Sequence, residues 1–110
     1  MYSIEIDTRN RKLKLFDDST LVKEYPVAVG KPSTPTPSGN WTIIEKALWG
    51  EQFGGHFMRL SVPWGIYGIH GTDKPWSIGQ VISHGCVRMY SADAAELYNA
   101  VPLNTPVRVY

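Results

Sequence analysis

Apolar and polar residues roughly alternate from Tyr2 to Ile6 and again from Leu13 to Phe16, with the polar stretch Arg9 to Lys12 between them. A period of two is that of a strand with one face buried, so this pattern predicts a β-hairpin. A third β-rich run, Leu21 to Val29, follows the turn residues Asp17-Asp18-Ser19 and stops at Gly30. The first thirty residues thus read as an antiparallel meander, with Pro26 at a position that needs no ladder N–H. Residues 31–39 hold three prolines, two threonines and two serines, a composition that favours an extended loop. Trp41 to Ile44 resumes strand character.

Residues 46–55 are punctuated by glycine and carry Trp49 and Phe53 without a period, which reads as a surface loop beside a ligand groove. Phe57 to Ser61 and Ile66 to Ile69 again look like strands, interrupted by Pro63. Ser91 as an N-cap, Asp93 in the first turn and the helix formers through Tyr98 predict one late helix. Pro106 to Tyr110 closes the chain as a strand. The expected fold is mostly β, of the α+β kind, a β-sandwich or mixed sheet with that single helix. A length of 110 residues suits one domain over 1–110.

Composition removes several functions. A net charge of +1 with both signs interspersed gives no basic footprint for nucleic acid or for an anionic membrane surface. No apolar run approaches the roughly 20 residues of a membrane span, and no address segment is visible, so localisation must follow from chemistry. The one cysteine cannot close a disulfide within the chain.

Chemistry concentrates in two clusters. The first is Ser83-His84-Gly85-Cys86-Val87-Arg88-Met89, just before the helix; the second is Tyr67-Gly68-Ile69-His70-Gly71-Thr72. A thiol becomes a strong nucleophile as thiolate, which needs an imidazole, a cation or backbone N–H groups nearby. Cys86 is set among all three, and Gly85 would let backbone N–H groups approach a substrate as an oxyanion hole. His70 at a glycine-flanked strand end is the natural base, although 16 positions separate it from Cys86 and only the fold can join them. The plainer readings are a buried apolar cysteine and a histidine satisfied by a backbone carbonyl.

His84 could polarise the site or merely pack beside it. Arg88 could clamp a carboxylate, but support of the loop through hydrogen bonds is the favoured role. Ser83 and Thr72 read as hydrogen-bonding scaffold, and Gly71 as active-site support beside His70. Trp49, Trp64, Trp76 and Tyr67 could line a groove, against the commoner role of aromatics in packing. His56 reads as a surface histidine. A zinc shell is disfavoured, because His84 and Cys86 lack the spacing of ligand pairs, and no cofactor is called for.

His70-Gly71-Thr72, then ten residues, then Ser83-His84-Gly85-Cys86-Val87-Arg88-Met89, resembles the signature of L,D-transpeptidase catalytic domains of the YkuD-like family. Gly30-Lys31 and Thr36-Pro37-Ser38-Gly39 resemble further parts of its pattern. The resemblance implies a β-rich fold with the cysteine in a cleft, and acyl transfer on the peptide stems of bacterial peptidoglycan. Cys86 would be the nucleophile and His70 the base, with donor and acceptor stems as partners. It also implies carbapenem β-lactams as covalent inhibitors, and an extracytoplasmic place in the cell wall, periplasm or spore envelope. L,D-carboxypeptidase activity, in which water resolves the thioester, and a silent wall-binding module are the competing readings.

Overall fold

In the computed structural model, which describes residues 1–110, the opening alternation becomes a hairpin of β1 (Tyr2–Asp7) and β2 (Lys12–Asp17). Ile4 pairs with Leu15 and Ile6 with Leu13, so the four apolar side chains face one another and are buried. Each such burial contributes on the order of 1.5–3 kcal/mol. The polar partners between them face outward.

The eleven-residue β3 (Thr20–Gly30) changes neighbours along its length. Up to Pro26 it pairs with β2; from Val27 it pairs with β8 (Val87–Met89), and its last residues run parallel to β7 (Val81–Ser83). Pro26 therefore stands at the handover, where a missing N–H costs least. The remaining strands are β4 (Gly39–Ala47), β5 (Phe57–Leu60), β6 (Gly68–His70) and β9 (Pro106–Val109). Their order is β2-β1-β9-β4-β5-β6-β8-β3, and the β2–β3 pairing returns the sheet to its start with β7 appended to β3. The mixed, mostly β sheet expected from the sequence thus closes on itself as a barrel. Three of its pairings are parallel, β1–β9, β6–β8 and β3–β7.

A cluster of 19 buried apolar residues fills the interior. The single helix, α1 (Ser91–Ala100), adds Ala94 and Leu97 to it. Outside the core α1 is tied to β3, where the buried Tyr25 hydroxyl and the Lys23 ammonium both donate to one Glu96 oxygen at 2.6 Å. No helix is long and apolar enough to cross a membrane.

Three local expectations shift. Ser91 is the first helical residue and Tyr90 the cap, because the Ser91 hydroxyl is spent across the fold on the Thr72 carbonyl at 3.0 Å. The strand expected from Ile66 begins only at Gly68, and Ile66 is exposed after the turn at Pro63 and Trp64. Inside the expected loop at 46–55 lies a short 3-10 turn, Glu51–Phe53.

Leu97→Ala should lower unfolding stability by about 2–5 kcal/mol, the usual loss for a fully buried leucine. Urea unfolding should show this as a lower midpoint at unchanged slope. A loss under 1 kcal/mol would mean that α1 is peripheral to the core.

Candidate active site

Residue alternation on two neighbouring strands assembles the site. β6 and β8 run parallel with Ile69 opposite Val87 and His70 opposite Arg88. Paired residues share a face of a sheet and successive residues alternate faces. Ile69 and Val87 point inward and are fully buried, so His70 and Arg88 point to the other side. Cys86, two residues before Arg88, joins them there. The three line one cleft of about 280 Å³ together with Ser83, His84, Thr72, Gln52, Phe53, Asp73 and Lys74. A larger hollow of about 550 Å³ between Lys46 and residues 99–106 holds neither histidine nor cysteine. Chemistry, and not size, therefore locates the site.

The Nδ1–H of His70 donates to the Gly71 carbonyl at 2.5 Å. A carbonyl only accepts, so this contact selects the tautomer with its proton on Nδ1 and leaves Nε2 with a free lone pair. Burial pushes the imidazole pKa below its ordinary 6.5; the Gly71 carbonyl opposes that shift and the nearby Arg88 charge adds to it. Burial also pushes the Cys86 thiol above its ordinary 9.0, against the backbone N–H of Gly68 and the Arg88 charge, which draw it down. Both shifts favour the neutral thiol and imidazole at rest.

Ser83 shapes the turn that carries the cysteine. Its hydroxyl donates to the Cys86 carbonyl at 2.6 Å and accepts the Gly85 N–H at 3.2 Å. Its own carbonyl accepts the Lys31 N–H at 3.0 Å and the Thr34 hydroxyl at 3.1 Å, which binds the proline-rich loop beneath the turn. With Gly85 N–H occupied, the N–H groups of His84 and Cys86 are those without a protein acceptor. Gly85 holds φ at +120°, and a Cβ there would lie 2.5 Å from the Tyr67 ring. Only glycine satisfies both constraints.

The other expected residues take supporting positions. Thr72 is buried, accepting the Lys74 N–H on its hydroxyl at 3.0 Å and the Ser91 hydroxyl on its carbonyl. Gly71 passes so close to Gly54 that a Cβ on Gly71 would meet the Gly54 Cα at 2.8 Å. His84 is exposed at the rim. Tyr67 packs under Gly85 instead of lining the cleft. Trp49 stacks on Phe57 at 3.9 Å, one ring removed from His70. Trp64 packs edge-on against Trp41, and Trp76 is largely exposed, so neither belongs to the cleft wall. His56, expected on the surface, is half-buried with its ring against Tyr98.

Arg88 departs from the favoured role. Its guanidinium forms no ion pair and no side-chain hydrogen bond to the loop, and its charge bears on both His70 and Cys86. Sequence reasoning also passed over Gly68, whose backbone N–H favours charge on the sulfur, and the rim pair Asp73–Lys74 at 3.2 Å. Stepping back two residues from His70 along the strand period reaches Gly68. Asp73 and Lys74 carried no signal beyond following Thr72.

A profile of the family described as YkuD, L,D-transpeptidase catalytic domain, matches residues 1–109. The YkuD proteins of Bacillus licheniformis and Bacillus subtilis are 42% and 40% identical over 109 residues, 98% of this chain. The chain spans 65% of the length of those relatives. Among solved structures, the catalytic domain of an Enterococcus faecium L,D-transpeptidase superimposes with a TM-score of 0.78 at 28% identity, over 100% of this chain and 97% of that one. The fold is shared too by LdtMt1 in complex with imipenem, at a TM-score of 0.86 and 20% identity over 99% of this chain and 58% of that one. With the match running from the first strand to the last around one cysteine–histidine cleft, the chain belongs to the YkuD family of L,D-transpeptidase catalytic domains.

Proposed function

We propose that Cys86 and His70 carry out acyl transfer on peptidoglycan tetrapeptide stems, joining a donor stem to the side-chain amine of an acceptor. The observation that carries this reading is the pairing of β6 with β8, which puts the thiol and an imidazole with a free Nε2 on one wall of one cleft.

The Cys86 sulfur attacks the carbonyl at the L-centre of the third, diamino residue while His70 Nε2 takes the thiol proton. Because burial holds the resting pair neutral, the proton moves during attack and not before it. The developing oxyanion is received by the N–H groups of His84 and Cys86. Collapse breaks the amide, His70 returns its proton to the departing amine, and terminal D-alanine leaves a thioester on Cys86. His70 then takes a proton from the acceptor amine, whose free pKa is about 10.4 and which attacks only when neutral. The new amide is a 3-3 cross-link and the thiol is restored. Arg88 lowers the cost of charge on sulfur and offers a fork to a stem carboxylate.

Hydrolysis of the same thioester by water gives the L,D-carboxypeptidase reaction, and a wall-binding role without turnover would use neither residue. A substrate of this kind places the protein outside the cytoplasm, in the cell wall, periplasm or spore envelope. Carbapenem β-lactams would acylate the same sulfur. Incubation with a disaccharide tetrapeptide separates the readings by product mass, which would show a dimer, a shortened stem or no change.

Cys86→Ala should abolish both turnover and the carbapenem adduct seen by intact-mass spectrometry; an adduct on that variant would refute the nucleophile. His70→Ala should slow acylation by roughly 10² to 10⁴, and His84→Ala by less.

The pH dependence follows from the two shifts. Acylation needs His70 neutral, so the rate should rise with pH through a limb below 6.5 and then stay level, while thiolate absorbance at 240 nm should grow only above pH 9. A thiolate already present at pH 7 would contradict a neutral resting pair.

Since Arg88 acts by charge, Arg88→Lys should keep most of the acylation rate and Arg88→Ala should lose about tenfold or more, in line with a charge-assisted contact. Steady-state rates at low and high salt check this. Equal damage from both substitutions would restore the loop-supporting role.

A further inference from the structure

His70 is held by one hydrogen bond at Nδ1, which leaves its ring free to tilt about that contact unless something fixes its faces. Two aromatic rings do so, and a third braces them. Phe57, fully buried and directly opposite His70 on β5, lies 6.0 Å from the imidazole at an interplanar angle of 23°. Phe53 meets the imidazole edge to face at 5.2 Å and 81°. Trp49 stacks on Phe57 at 3.9 Å and 8° and touches Phe53 at 5.0 Å, so the three rings brace one another.

Phe53 is the unusual member. Phe57 is fixed by the barrel, but Phe53 comes from a 3-10 turn with no buried residue. That turn is pinned where Gly54, at φ +62°, meets the strand end after His70: a Cβ on Gly54 would lie 2.4 Å from Gly71 Cα. The contact positions the ring and the carbonyl that orients His70 through one point. Phe53 also lines the cleft that holds the imidazole.

We propose that Phe53 is a positioning residue for acylation, holding the His70 ring with Nε2 toward Cys86 and keeping water from the face it covers. This rests on His70 acting as the base. The groups around His70 are Arg88 on β8, the Cys86 thiol, Gln52 on the same turn as Phe53, and His84 with the Asp73–Lys74 pair along the cleft. From β5 it meets only the Phe57 ring. Of these, Phe53 is the apolar group whose removal opens the ring to solvent without disturbing the barrel.

The test compares Phe53→Ala, Phe53→Trp and Gly54→Ala with the unaltered chain. Two measurements are made on each: the pH profile of carbapenem acylation, and the titration of the His70 imidazole by NMR on histidine-labelled protein. Phe53→Ala should slow acylation tenfold or more, as loss of alignment does. Both the acid limb and the NMR midpoint should move up toward 6.5, because solvent now reaches the imidazolium. Phe53→Trp should restore rate and midpoint toward the original. Gly54→Ala, which keeps the ring but displaces its turn, should reproduce the alanine phenotype. A Phe53→Ala chain with an unmoved NMR midpoint overturns the proposal, whether its rate is unchanged or merely lower at every pH. If the unaltered chain forms no adduct, the acyl-transfer reading fails, while the NMR titration still reports on Phe53.

Discussion

The site depends on the parallel register of two three-residue strands. Because Ile69 lies opposite Val87, the Cys86 thiol, the His70 imidazole and the half-buried Arg88 emerge on one face. A slip of one residue would exchange every side chain between core and cleft, burying the arginine and exposing two aliphatics. The register is enforced from both sides, since β5 pairs with β6 and β3 with β8. Packing of fully buried Ile69, Val87 and Met89 thus positions the cleft side chains as well as stabilising the fold.

Around that pair the protein balances desolvation against charge. Enclosure raises the cost of both thiolate and imidazolium, and a guanidinium with a backbone N–H recovers part of that cost at the sulfur alone. A buried neutral pair is chemically quiet until an electrophile enters and proton transfer accompanies bond formation. Ser83 complements this by consuming the Gly85 N–H and the Cys86 carbonyl, so the turn carries its cysteine without internal slack.

Much of this was legible in the sequence. The alternation of Tyr2–Ile6 and Leu13–Phe16 marked a hairpin because one face of each strand is buried over a full period. Cys86 and His70 were legible because glycines and polar residues crowd around them in patterns that packing alone does not require. The strands flanking Cys86 were not, since three residues are too few to display a period. Ser91 misled because a side chain that caps helices locally was engaged by a carbonyl 19 positions away. For Trp49 and Trp64 packing was already the commoner reading, and they do pack, against Phe57 and Trp41; composition reveals that aromatics must pack somewhere, but not against which neighbours. Arg88 was read as a brace because such residues often are; that its guanidinium lacks a protein partner is a property of the fold.

The handover at Pro26 carries a consequence for how the molecule comes apart. One strand serves as seam of the barrel, as neighbour of the strand bearing Arg88, and as support for the strand leading into the cysteine turn. Local opening on the cleft side cannot stay local, because releasing β8 from β3 also removes the support beside the closure with β2. The amides of Val87 and Met89 therefore belong to the same cooperative unit as the first hairpin, although some seventy residues intervene along the chain. Such a protein keeps its cysteine turn in place until it unfolds as a whole.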